Sequence, residues 1–242
     1  MNQPIPNLEF IVAVSDERVL EKYLLQSPCL KSNTYPLHIH RNCHSAAQAF
    51  NSHALSTKTP PANTWWIWVH QDVYLPQGWD RLFITKLLEA QTTYPRLGVL
   101  GLYGIAGHGQ QAHRAGELLD RGQMLQEPTP IPCLVDSLDE LLIASKAQNQ
   151  LGFDPGLGFD FYGTDIVLSA QEMNIQAAVI QAPCEHWSST PQKPPFPLTL
   201  VERIEQSAHV FENKWRHRLP LTTPCFEING IGSTSQFLKA NA

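Results

Sequence analysis

The chain has 242 residues, 43% of them hydrophobic and 16% charged, with a formal net charge of −5. That balance fits a folded chain with enough length for a buried core and excludes a disordered one. Net acidity without a Lys/Arg run gives no electrostatic reason to expect nucleic acid or an anionic membrane as the main partner.

Residues 1–9 contain no basic residue ahead of the first apolar run, so no secretory signal is expected. No stretch approaches the roughly 18 to 20 apolar residues of a membrane span, and the expected location is the cytoplasm. Five cysteines (Cys29, Cys43, Cys133, Cys184 and Cys225) include no CxxC pair, so they read as small buried thiols.

The first 100 residues alternate short apolar runs with helical patterns, as βαβ units do. Residues 10–14 read as a strand, followed by a helix over 18–25 with Ser15 or Asp16 as its N-cap. A second strand is expected at 37–40 and a helix at 45–55, with Ala46, Ala49, Phe50 and His53 on one stripe. Residues 65–69, WWIWV, are the most strand-like run, with His70-Gln71-Asp72 at its end. The segment 76–91 is amphipathic, with Leu82, Phe83, Leu87 and Leu88 expected to face inward, and 97–102 is a further buried strand.

The pattern then changes. Residues 103–130 are polar and glycine-rich and read as an excursion over the active face, a lid or acceptor-side loop with exposed His108 and His113. Its GIAGHG run satisfies neither GxGxxG after the first strand nor GxxxxGK[ST]. Strand character resumes at 131–135 and 140–145, a helix is expected at 163–173 and a strand at 176–181. Beyond the proline-rich stretch 191–197, Val201, Ile204, Ala208, Phe211 and Trp215 mark one buried helical stripe, which suits either the chain's own sheet or a partner. No period is visible after Pro220.

In an open α/β sheet, ligands bind beyond the carboxyl ends of the strands. Asp72, just past an apolar strand, either holds a hard cation or caps a turn. A carboxylate cluster follows at Asp154, Asp160 and Asp165, in an aromatic, glycine-punctuated loop. Asp165 suits a general base within apolar walls or a helix N-terminus stabilised by the dipole. His186 closes the series, and its interest depends on meeting Asp72 in space.

In this order, the segments 10–17, 45–51, 68–73, 135–144, 152–154 and 161–165, together with His186, resemble the GT-A glycosyltransferases. The nearest resemblance is to the small family-2-like bacterial branch related to the StrF-type proteins of streptomycin biosynthesis. The resemblance implies an α/β GT-A fold, an open mixed sheet flanked by helices. It places the glycosyltransferase domain at 1–190, with 191–242 as a helical extension packed on it. It further implies a sugar nucleotide as donor, a hydroxyl acceptor, an inverting transfer and a Mn²⁺ or Mg²⁺ ion. Ser15, Asp16 and Asn51 would lie at the nucleotide, Asp72 and His186 on the metal, and Asp165 would be the base. Tyr162 and Trp187 would enclose the sugar, and Asp160 stands close by in sequence. His70 departs from the pattern, occupying the place where relatives often have their first acid. This leaves two other readings, a catalytically silent sugar-nucleotide binder and a metal-dependent phosphoesterase.

Overall fold

The computed structural model describes residues 4–191 and 193–241. Residues 1–3 of the segment read for a signal, Gln192 of the proline-rich stretch, and Ala242 lie outside the described residues. In chain order the strands are β1 (Asn7–Val14), β2 (Leu37–Arg41), β3 (Thr64–Val69), β4 (Val73–Tyr74) and β5 (Leu97–Gly101). They continue with β6 (Tyr103–Ala106), β7 (His113–Asp120), β8 (Gln123–Gln126), β9 (Cys133–Leu134) and β10 (Ser137–Leu138). The last five are β11 (Leu142–Lys146), β12 (Gln176–Val179), β13 (Glu185–His186), β14 (Leu221–Thr222) and β15 (Glu227–Ile228). The helices are α1 (Glu17–Lys22), α2 (Pro28–Lys31), α3 (Ala46–Ala54), α4 (Trp79–Thr93), α5 (Tyr162–Glu172), α6 (Leu198–Lys214) and α7 (Ser233–Lys239).

Seven strands form a mixed sheet in the order β2-β1-β3-β11-β5-β12-β9. Strands β2, β1 and β3 are parallel, whereas β11 runs antiparallel to both β3 and β5. Period-two alternation explains why this sheet needs helices on both faces. Trp65, Ile67 and Val69 of β3 pack with Phe10 and Val12 against Trp79, Phe83 and Leu87 of α4. Trp66 and Trp68 point the other way, to the layer containing Phe50 of α3, Ile166 of α5 and Phe211 of α6.

Of the two residues offered as cap for α1, Asp16 takes the role, accepting from Arg18 N, and α3 starts one residue later than expected, with Ser45 as its cap accepting from Gln48 N. One expectation fails on α4. Its buried positions are Trp79, Phe83, Leu87 and Ala90, while Leu82 is exposed, because the stripe turns one residue away from it. The cysteines are also less uniform than expected: Cys29 and Cys184 are buried, Cys43 and Cys133 half-buried, and Cys225 exposed.

The excursion after β5 is not a loop. Strands β6 and β7 pair antiparallel from Tyr103↔Gly116 to Ala106↔His113, and β8 pairs back onto β7. Together with β10, β13 and β4 they form a second sheet of six strands. Gly116 makes the close pairing feasible: at φ +133°, its Cβ would lie 2.3 Å from the Leu102 carbonyl oxygen. His108 and His113 are exposed, as expected.

The stripe of α6 packs on the chain's own core through Val201, Ile204, Ala208 and Phe211, with Trp215 following it. The segment without a visible period forms the β14–β15 hairpin and α7. Buried Glu212 holds the start of α7 by accepting from Gly232 N at 2.5 Å and Thr234 N at 3.0 Å. Among the described residues, no helix is long and apolar enough to cross a membrane.

Candidate metal and substrate cleft

Strand register assembles the site. His186 on β13 pairs with Val73 of β4 on one side and with Asp120 of β7 on the other. Asp72 immediately precedes β4, so the end of β3 and the second sheet meet at these side chains. His186 Nδ1 lies 2.9 Å from Asp120 Oδ1, and its Nε2 lies 3.6 Å from Asp72 Oδ1. His70 Nδ1 is 3.9 Å from that same Asp72 oxygen. His70, Asp72 and His186 thus offer three ligand atoms within 4.8 Å of one another.

Asp72 Oδ1 and His186 Nε2 are buried and have no hydrogen-bond partner. Leaving such groups unsatisfied costs about 1–3 kcal/mol each. A divalent cation satisfies both, and a carboxylate with imidazoles is a suitable donor set. The second shell fits as well: Asp120 accepts from His186 Nδ1–H and leaves the Nε2 lone pair turned to Asp72.

A further network orients His70. Trp68 Nε1 donates to the Tyr162 hydroxyl at 3.1 Å, and that hydroxyl donates to the Glu140 carbonyl at 3.2 Å. With its one proton so used, Tyr162 accepts from His70 Nε2–H at 2.6 Å, and the Nδ1 lone pair of His70 faces Asp72. Burial lowers the pKa of His70 against the pull of Asp72. Burial acts the same way on His186, but the hydrogen bond to Asp120 and the charge of Asp72 outweigh it and raise its pKa.

A cleft of about 570 Å³ opens from His70 and His186 past Asp139, Glu140, Asp160 and Arg203. Glu140 stands over the start of α5, where its Oε1 accepts from Gly163 N at 3.2 Å. A Cβ on Gly163 would come within 2.9 Å of Glu140 Cγ and 2.4 Å of the Leu138 oxygen, so the close approach requires glycine. Burial, followed by the charge of Asp160, pushes the Glu140 carboxyl well above the usual carboxylate range. Asp160 itself is held by Arg203 through two bonds of 2.9 and 3.0 Å.

The other expected site residues divide. Ser15 and Asp16 sit at the end of β1 and are joined to the Asp72 turn by Gln71, whose Oε1 accepts from both backbone N–H groups. The Asn51 side chain donates to the Phe153 carbonyl and accepts from the Phe153 N–H, clamping that loop. Tyr162 is buried behind His70 and does not line the cleft, and Trp187 stacks on Tyr23 outside it.

Asp165, expected as the base, sits elsewhere. It is 1% exposed and lies away from the cleft lining. Its Oδ1 accepts from Trp215 Nε1 at 2.7 Å and pairs with Lys214 Nζ at 2.7 Å. The helix start does face a carboxylate-rich cleft, but position 165 is turned toward α6. Asp165→Ala is therefore expected to lower stability by about 1–3 kcal/mol through the orphaned Trp215 Nε1, while Lys214 keeps Asp154. Ligand binding should be retained, as read by thermal denaturation and a nucleotide titration.

The sequence singles out none of Asp120, Asp139 and Glu140, although the last two lie within the matched segment 135–144. The missing signal was strand direction. Because β11 is antiparallel to β3, with Leu142↔Val69, the residues just before β11 lie beside those just after β3. His70 N accordingly donates to the Leu141 carbonyl at 2.9 Å.

No family model and no curated protein sequence matches the chain. Among solved structures, its fold is similar to a mannosyltransferase from Pyrobaculum calidifontis in complex with GDP-Man and Mn²⁺. The TM-score is 0.52 at 12% identity, over 96% of this chain and 70% of that chain.

Proposed function

We propose that the protein is a GT-A-type glycosyltransferase that moves a sugar from a nucleotide-diphosphate donor to a hydroxyl acceptor with inversion. The observation that carries this reading is the pair of unpartnered buried atoms, Asp72 Oδ1 and His186 Nε2, at the strand ends beside Ser15 and Asp16. The fold likeness to a mannosyltransferase bound to GDP-Man and Mn²⁺ supports it.

Asp72 and His186 would hold the ion, with His70 Nδ1 as third donor in place of the acid common in relatives. The imidazole content favours Mn²⁺ over Mg²⁺. When bound, such an ion neutralises the charge developing on a departing nucleoside diphosphate. Asp120 fixes the orientation of His186, and Tyr162 fixes that of His70. Ser15 and Asp16 are placed to meet the nucleotide.

We assign the general base to Glu140. It is half-buried in the cleft, and burial raises its pKa, which makes its carboxylate a stronger base toward an incoming hydroxyl. Asp160, fixed by Arg203, is placed to bind sugar or acceptor hydroxyls. The transferase unit is proposed to span residues 1–190. Residues 191–242 form an extension on it whose Pro224, Phe226 and Phe237 wall the cleft on the acceptor side.

The test is a thermal-shift screen of UDP, GDP, dTDP and CDP sugars with and without Mn²⁺. A donor at ~100 times its dissociation constant adds about 2.7 kcal/mol of stability. A Mn²⁺-dependent rise for one nucleotide, accompanied by release of its diphosphate, is the expected result. Binding without turnover across a broad acceptor panel would instead indicate a silent binder, and no shift with any nucleotide would overturn the assignment.

A further inference from the structure

A second group of ligand-bearing side chains lies away from the cleft, on the sheet face beneath α3. Glu9 of β1, His38 of β2 and His53 of α3 bring three ligand atoms within 4.8 Å of one another. Register explains the meeting. His38 pairs with Ile11, and Glu9, two residues before Ile11, shares its face of the sheet. Glu9 itself pairs with Trp66, four residues before His70 on β3, or about 13 Å of strand from the cleft.

The geometry is convergent. His53 Nε2 lies 2.8 Å from Glu9 Oε2, and His38 Nε2 lies 3.9 Å from the same oxygen. The two imidazole rings stack face to face, with centroids 3.7 Å apart and planes at 26°. His38 Nε2 is buried and has no hydrogen-bond partner, and neither has Nε2 of neighbouring His40. Donors around a tetrahedral ion with bonds of 2.0–2.1 Å stand about 3.4 Å apart, between the two distances seen here.

We propose that Glu9, His38 and His53 form a second divalent-metal site, structural in role and suited to borderline ions such as Zn²⁺ rather than to Mg²⁺. Two imidazoles and a carboxylate are the donors such ions take. The site has an evident mechanical use. Strand β2 lies at the edge of the sheet and has no fully buried residue, so apolar burial alone holds it weakly. An ion shared by β1, β2 and α3 staples that edge to the core. The proposal is independent of the transferase assignment.

The experiment uses chelator-stripped full-length protein carrying Asp72→Asn and His186→Gln, which disable the cleft donors. Zn²⁺ is titrated by calorimetry, and Co²⁺ by visible absorption. The expected result is one equivalent bound, tetrahedral Co²⁺ bands and a raised Tm. Adding His38→Gln or Glu9→Gln, in protein shown by circular dichroism to be folded, should weaken binding by more than the ~10–100-fold cost of losing an outer-shell partner. In the otherwise wild-type chain, Zn²⁺ should also shift the imidazole ¹⁵N resonances of His38 and His53. No bound Zn²⁺ in the cleft-disabled protein, or binding that His38→Gln and Glu9→Gln leave unchanged, would overturn the proposal.

Discussion

Asp72→Ala is expected to lower metal-dependent turnover of the sugar nucleotide about 10²–10³-fold, equivalent to about 3–4 kcal/mol of lost transition-state stabilisation. Asp72 Oδ1 faces both His186 Nε2 and His70 Nδ1, at 3.6 and 3.9 Å, so no other described residue replaces it between the two imidazoles. Excess Mn²⁺ should restore part of the rate, because the imidazoles remain. The metal-free protein should keep or gain Tm, since the deleted oxygen is buried and unpartnered. Asp120→Asn should act through His186 and weaken Mn²⁺ about 10–100-fold. Diphosphate release assayed across a Mn²⁺ series measures the three effects on turnover and Mn²⁺ affinity, and thermal denaturation reads the Tm. An unchanged rate in Asp72→Ala at limiting Mn²⁺ would remove the metal assignment.

Glu140→Gln is expected to reduce kcat by about 10²–10⁴-fold, the usual worth of a positioned base, with the KM for the donor little changed. The pH profile adds a second readout. A base works only when deprotonated, and burial raises the Glu140 pKa. The acid limb of kcat/KM should therefore lie above the ordinary carboxylate range and vanish in the glutamine variant. Stability should move the other way. The unfolded carboxyl ionises at its ordinary value and the folded one only at higher pH, so folding takes up a proton between those two values. Native stability is lost as pH rises through that window. Glutamine does not titrate and can still accept from Gly163 N, so its Tm at neutral pH should exceed that of wild type. A full rate in Glu140→Gln would remove the base assignment and point to Asp139 or Asp160 instead.

Much of the frame was legible in the sequence because local chemistry dictates it. The WWIWV run reads as the most strand-like in the chain and forms β3, and Asp16 is a cap whose hydrogen bond closes within two residues. The excursion was misread because Gly107, Gly109, Gly116 and Gly122 mask the alternation of β7, in which Ala115, Leu118 and Asp120 are buried. Glycine there serves close strand approach, which local composition does not distinguish from a turn.

The sequence alone determined which residues end strands with chemistry attached, and hence that His70, Asp72 and His186 were candidates. Only the tertiary structure decided that they meet, because His186 reaches Asp72 through the β4–β13–β7 register, more than a hundred residues apart along the chain. It also decided which carboxylate lines the cleft, Glu140 and not Asp165. Helical periodicity places Asp165 at the start of α5, but which neighbour that face meets depends on α6, fifty residues on. Glu140 reaches the cleft because β11 runs against β3. Strand direction and helix facing are set by long-range packing, which carries no local sequence signal.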